Sequence, residues 1–150
     1  MDATSLTIGM ILLIICVLPF ILFSVNNTKK RKKRIENLIR KAKENNAIIQ
    51  EKDDWNQSVI GIDKTKKMLF FSNNSDEFDK FNSINISELY SCTIEKTENK
   101  QKSIEKLELE LKFISKPTML LEFFNKNETR LLVNEIEIIQ KWQMLLNKIT

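Results

Sequence analysis

The sequence predicts an α+β protein with one N-terminal transmembrane helix, followed by a domain of seven short antiparallel strands and a C-terminal helix. Three observations lead there. An uncharged apolar run fills residues 6–25, the hydrophobic period changes from 3.6 to 2 near residue 47, and it returns to 3.6 after residue 134. The chain of 150 residues leaves room for one modest core behind an anchor. With only two Gly and two Pro it is composed to fold and not to serve as a linker.

The first element is the apolar run, LTIGMILLIICVLPFILFSV from Leu6 to Val25, twenty residues without a charge. That length matches the roughly 20 residues needed to cross about 30 Å of hydrocarbon, and transmembrane helices tolerate residues such as Gly9 and Pro19. A cleaved signal peptide is the competing reading. The start, MDATSLT, lacks its basic region, and Phe20 to Val25 runs into Asn26 and Asn27 with no small-residue cleavage site. The expectation is an uncleaved anchor over residues 1–28.

Residues 29–46 form a basic collar. Lys29, Lys30, Arg31, Lys32, Lys33 and Arg34 follow the apolar run, and juxtamembrane cations stay on the cytoplasmic side. The expected topology is single-pass in the cytoplasmic (inner) membrane, with the N-terminus outside and the domain in the cytoplasm. The same six residues are the expected contact with anionic lipid headgroups. Beyond them, Ile35, Leu38, Ile39 and Ala42 share one helical face, and Asn45 and Asn46 are placed to end that helix. Its pattern fits a continuation of the anchor, a helix in the interface, or one docked on the domain.

The domain is expected over residues 47–150. Its first two strands are read at Ala47–Glu51 and Ser58–Ile62, flanking the turn-like KDDWN, and a third at Lys67–Ser72. Ile84 and Ile86 mark a fourth, and Leu89–Thr97 a fifth in which Tyr90, Cys92 and Ile94 share a face. In Ile104–Ile114, Leu107, Leu109, Leu111 and Phe113 alternate with Glu108, Glu110 and Lys112, so one face is core and the other meets water. Met119–Asn125 pairs with that strand across the Ser115–Thr118 turn. The closing helix has Asn134 at the N-cap position, Glu137 in the capping-box position, and Val133 with Ile138 as a hydrophobic staple. Its stripe of Ile138, Trp142, Leu145 and Ile149, widened by Ile139 and Leu146, must cover a sheet.

A pI near 9.0 invites a nucleic-acid reading, which the distribution of charge removes. Residues 29–43 hold nine Lys or Arg and one Glu, a net of +8, whereas residues 44–150 hold 15 basic and 18 acidic residues, a net of −3. The basicity is a property of the collar. The sequence has no His and only two Cys, one of them inside the apolar run, so neither a zinc site nor a disulfide framework can be built. Gly61 stands alone, so there is no phosphate-cradling glycine loop. No cofactor and no nucleic-acid partner are expected.

Seven short strands followed by the EIIQKWQMLL helix resemble the pleckstrin-homology-like fold over residues 47–150. The resemblance implies two bent antiparallel sheets in a partly open barrel, with the helix at one end. The whole chain, with its WNQSVIGIDKTKKMLFF and INISELYSC stretches, is also similar to a group of small bacterial membrane proteins, a likeness that implies no activity. Many pleckstrin-homology domains grip inositol phosphates through a basic loop between the first two strands. Here that stretch is EKDDWNQ, which is acidic.

Candidate site residues in the domain are few. Asp53, Asp54 and Trp55 place two acids and an aromatic together, as candidate residues at the lip of a ligand site, with Trp55 read as a core or lip residue. A Ca²⁺ loop is not among the readings, because the pattern D-x-[DN]-x-[DN]-G is absent. Glu108 and Glu110 lie on the outward face of their strand and read as solubilising charges. Together these features point to a membrane-anchored, non-enzymatic interaction module with the bilayer and a protein or peptide as partners. The alternatives are an accessory subunit of a larger membrane complex and a lipid-headgroup-binding domain. An enzyme is not expected, since without a His most general-base designs are unavailable and the chain would need paired carboxylates or an activated Lys or Cys instead.

Overall fold

The computed structural model describes residues 3–129 and 131–150, with side chains described from Thr7 onward; that of Leu6, the first residue of the expected span, lies outside them. The elements run α1 (Ala3–Glu44), β1 (Glu51–Trp55), β2 (Ser58–Asp63), β3 (Met68–Ser72), a short 3-10 turn at Phe78–Lys80, β4 (Asn82–Asn85), β5 (Leu89–Glu98), β6 (Ile104–Phe113), β7 (Met119–Asn125) and α2 (Glu135–Ile149). Among the described residues seven strands form two antiparallel sheets, β1-β2-β3-β4 and β5-β6-β7, so the α+β class holds and these strands do not close into one barrel. The chain divides into two compact units, Met1–Lys33 and Arg34–Thr150.

In the first unit α1 runs through Pro19 without interruption. Apolar side chains point outward on every side of it: Ile8, Met10, Leu13, Ile14, Leu18 and Phe20 are 47–78% exposed.

The second unit begins inside α1. The helix ends as Asn45 and Asn46 foretell, with Asn46 at φ 53° and the Ala47 and Asn46 N–H groups bonded to the Ala42 and Lys43 carbonyls at 2.8 and 2.9 Å. This is the Schellman arrangement, in which a left-handed residue lets the chain reverse and satisfies the last carbonyls. The apolar face at Ile35, Leu38 and Ala42 packs on Val59, Phe70 and Phe81, forming a core of its own. Of the three placements left open for this segment, two hold together: it continues the apolar helix and it docks on the domain.

Docking explains why β2 and β3 read as nearly unbroken apolar runs. All six residues of β2 are buried, with Val59 against α1 and Ile60 and Ile62 in the main core. A sheet covered on both faces has no polar side to show. Gly61 lets the helix close in: a Cβ there would stand 2.9 Å from Leu38 Cδ2 and 3.3 Å from two carbons of Ile49. The main core lies between the two sheets and α2, where Leu107, Leu109, Leu111, Ile139, Trp142 and Leu146 are fully buried.

Three readings need correction. The first strand is Glu51–Trp55, not Ala47–Glu51, and the turn is the two-residue Asn56–Gln57, with Asn56 at φ 47°. Its charged side chains hid the strand, because Asp53 and Trp55 face inward at an edge where a carboxylate finds partners. In β5 a register shift between Leu89 and Ser91 puts Leu89 and Cys92 inside and turns Tyr90 outward, 58% exposed. At α2, Asn134 makes no side-chain cap and Val133 is 79% exposed, so capping box and staple are absent. The Glu135 carboxylate instead accepts from the N–H groups of Val133 and Asn134 at 2.7 and 3.0 Å.

Candidate functional site

Two regions carry the chemistry that the sequence singled out. In the first, α1 is the one helix among the described residues long and apolar enough to cross a membrane. Fourteen large apolar side chains between Ile8 and Val25 are exposed. Burying a fully exposed side chain of this kind is worth about 1.5–3 kcal/mol, and these are 42–78% exposed, so leaving this surface in water would cost about 12–25 kcal/mol. The segment's length and apolar surface are compatible with a membrane span. Lys29, Lys30, Arg31, Lys32 and Lys33 follow on the same helix and are exposed.

Arg34 is different. Only 12% of its side chain is exposed, it stands 4.0 Å from the Asp76 carboxylate, and its Nε is buried with no acceptor among the described residues. The segment between β3 and β4 holds the adjoining turns of α1 as well. Asn37 Nδ2 donates to the Ser75 carbonyl at 3.1 Å, and the Arg40 guanidinium lies 3.8 Å above the Phe78 ring.

In the second region, Trp55 and Asp53 make ties between elements. Trp55 is 3% exposed, stacks on Phe123 at 4.5 Å, and donates its Nε1–H to the Phe123 carbonyl at 2.8 Å. That bond links β1 of one sheet to β7 of the other. Asp53 Oδ2 accepts from Trp142 Nε1 at 2.8 Å and from Lys141 Nζ at 2.6 Å, tying β1 to α2. Asp54 is half-buried on the same strand. The trio is brought together by β1, but two of its members face inward as ties.

Beside the trio lies a cleft of about 310 Å³, lined by residues of the β1–β2 turn, the start of the β3–β4 segment and the end of β7. Its polar lining includes Asn56, Gln57, Ser58, Asn73, Glu122 and Asn125. The turn is fixed from below, since Asn56 Nδ2 donates to the buried Glu135 carboxylate at 2.6 Å and the Gln57 carbonyl accepts the Ser75 N–H at 2.8 Å. Side-chain amides, hydroxyls and the Glu128 carboxylate suit a neutral or cationic ligand better than an anionic one, while Glu122 is already paired with Lys106 at 3.4 Å. The sequence reading missed this site because its residues are ordinary polar ones, joined only when two sheet edges meet. The one available signal was Asn56, a residue type that tolerates the positive φ of a tight hairpin.

Other polar groups serve the framework. On the outer face of β6, Lys106 pairs with Glu108 at 2.7 Å and Lys112 with Glu110 at 3.0 Å, in keeping with solubilising charges. The edge of β5 is covered at Cys92, whose N–H and carbonyl both bond the Asn147 side-chain amide at 2.9 Å. Burial pushes the Cys92 thiol up to about 12, which leaves it protonated and unreactive at neutral pH. Asp63 organises the β2–β3 turn and the end of the α1 linker: it accepts from the Ile48 and Lys66 N–H groups at 2.8 and 2.9 Å, and these bonds hold its carboxyl below the usual range. Comparison with family models, curated proteins and solved structures found no match for this chain.

Proposed function

We propose that the chain is a single-span membrane protein whose domain is a pleckstrin-homology-like module. In this reading the domain works at the cytoplasmic face by holding a protein partner and catalyses no reaction. The observation that carries the reading is the order of chemistry along α1: an apolar surface exposed on every side, followed directly by five exposed cations, Lys29 to Lys33. Such a segment is most stable with its apolar part in hydrocarbon and its cations among anionic headgroups, and juxtamembrane cations resist translocation. Sheets of four and three strands in chain order, with α2 packed beside them, support the pleckstrin-homology-like arrangement. The cleft is the proposed partner site, and its amide-rich lining with the Glu128 carboxylate favours a protein surface over a phosphorylated headgroup.

Two measurements test this. A reporter active only in the cytoplasm, fused after Thr150, will be active, and neutral residues at Lys29–Lys33 will give mixed orientations. Activity of a reporter that works only outside the cytoplasm would refute the topology. Photo-crosslinking residues at Gln57 and Asn73, both exposed at the cleft, will yield one discrete protein adduct in intact membranes, whereas one at Lys96, exposed on β5, will not. Equal labelling from all three positions, or none from the cleft, rules out the partner site.

A further inference from the structure

We propose that the lipid-reading surface of the collar ends at Lys33, and that Asp76 sets this end by withholding Arg34 from anionic headgroups. The inference rests on the lipid contact proposed above for Lys29–Lys33. Sequence alone gives Arg34 the same standing as its five neighbours. The structure separates them, because Lys29 to Lys33 are exposed while Arg34 is largely buried against the β3–β4 segment, where the Asp76 carboxylate stands 4.0 Å from its guanidinium.

Distance along α1 makes the competition real for Arg34 and not for Arg40. A helix rises about 1.5 Å per residue, so Lys29 stands about 6 Å past Val25, Arg34 about 13 Å, and Arg40 about 22 Å. The headgroup layer is about 5–8 Å thick on each side, and its potential decays over about 8 Å more at physiological salt. Arg34 therefore lies at the outer limit of that field, where an ordinary exposed arginine would still be drawn to phosphate. Arg40 lies outside it, and its guanidinium is already placed over Phe78.

The arginine is held but not satisfied. Its distance from Asp76, 4.0 Å, is long for an ion pair, and its Nε has no acceptor among the described residues. Packing fixes its backbone, and Asp76 is the charge that faces its guanidinium. Asn37 on the Ser75 carbonyl, together with Leu38 and Ala42 in the second core, fixes the backbone from which Arg34 projects. Losing the Asp76 charge leaves that packing intact and frees the guanidinium to turn toward phosphate. Asp76 is itself 39% exposed, so substituting it does not open the core.

The test uses the full chain in phosphatidylcholine bilayers and measures the preference of spin-labelled phosphatidylglycerol over spin-labelled phosphatidylcholine for its lipid shell. The wild type will prefer phosphatidylglycerol, Lys29–Lys33→Gln will abolish the preference, and Arg34→Gln will leave it unchanged. Asp76→Asn will raise it by up to about fivefold, the worth of one further cation near the surface, and Asp76→Glu will not. The double variant Asp76→Asn with Arg34→Gln will return to the wild-type value. A loss for Arg34→Gln as large as that for Lys29→Gln, or no rise for Asp76→Asn, overturns the inference while leaving the lipid contact of Lys29–Lys33 standing. No preference in either wild type or Asp76→Asn overturns that contact, and the inference with it.

Discussion

Gly61 gives the most direct test of how α1 is held on the domain. A methyl group added there would meet Leu38 Cδ2 at 2.9 Å and Ile49 Cδ1 and Cγ2 at 3.3 Å, and Leu38 is fully buried, so it has little room to yield. Overpacking of this kind costs about 1–3 kcal/mol. Gly→Ala at a compatible backbone returns about 0.4–1 kcal/mol by restricting the unfolded chain, and Gly61 has no positive φ to forbid it. The net expectation for Gly61→Ala is a loss of about 1 kcal/mol. Leu38→Ala, which opens a cavity between helix and sheet, will cost about 2–5 kcal/mol. In the double variant the new methyl occupies space that Leu38 vacated, so the two costs will fall short of their sum by about 1 kcal/mol. Denaturant unfolding of the full chain in micelles, followed by fluorescence of the buried Trp55 and Trp142, reads all four corners of the cycle. Additivity within about 0.3 kcal/mol, or a stabilising Gly61→Ala, would refute the close approach.

Two more substitutions probe the polar ties. Asp53→Ala leaves the fully buried Trp142 without its indole acceptor and will cost about 1–3 kcal/mol in the same assay, whereas Asp53→Asn, which keeps an acceptor oxygen, will cost less than half as much. Lys141→Met, which removes only the half-exposed ionic partner of Asp53, will change stability by no more than about 1 kcal/mol; a larger loss would move the tie from the indole to the ion pair. For Asp63, whose folded pKa is depressed, the unfolded state binds more protons in the window below the ordinary value of 3.8. Its contribution is complete above that value and lost as pH falls through the lower folded pKa. Melting temperatures of wild type and Asp63→Asn will therefore converge on acidification, and a gap that stays constant from pH 7 to pH 2.5 would contradict the bonds from Ile48 and Lys66.

Much of the framework was legible because local pattern and burial agree. The alternation in β6 requires a sheet with one wet face, and the stripe through Trp142 requires a covering helix, since a period of 2 or 3.6 in apolar residues has few physical solutions. Pattern failed where a side chain's environment lay far along the chain. Asp53 looks like a turn acid until Trp142, 89 residues away, supplies a buried donor. Tyr90 looks inward until a register shift turns it out. Glu135 carries no signal of burial, because its partner Asn56 is 79 residues distant.

The sequence by itself determined the apolar span, the concentration of positive charge beside it, the α+β class, and most strands along with the final helix. Each depends on residues within one element, where spacing dictates which side chains share a face. Tertiary structure alone decided that the last turns of α1 belong to the domain, that Arg34 parts company with Lys29–Lys33, and that Asp53 and Trp55 are ties beside a polar cleft. These outcomes turn on which surfaces meet. A carboxylate, an arginine or a glycine takes its role from the donor, acceptor or empty space opposite it, and the chain supplies those from distant positions only once its sheets and helices have packed.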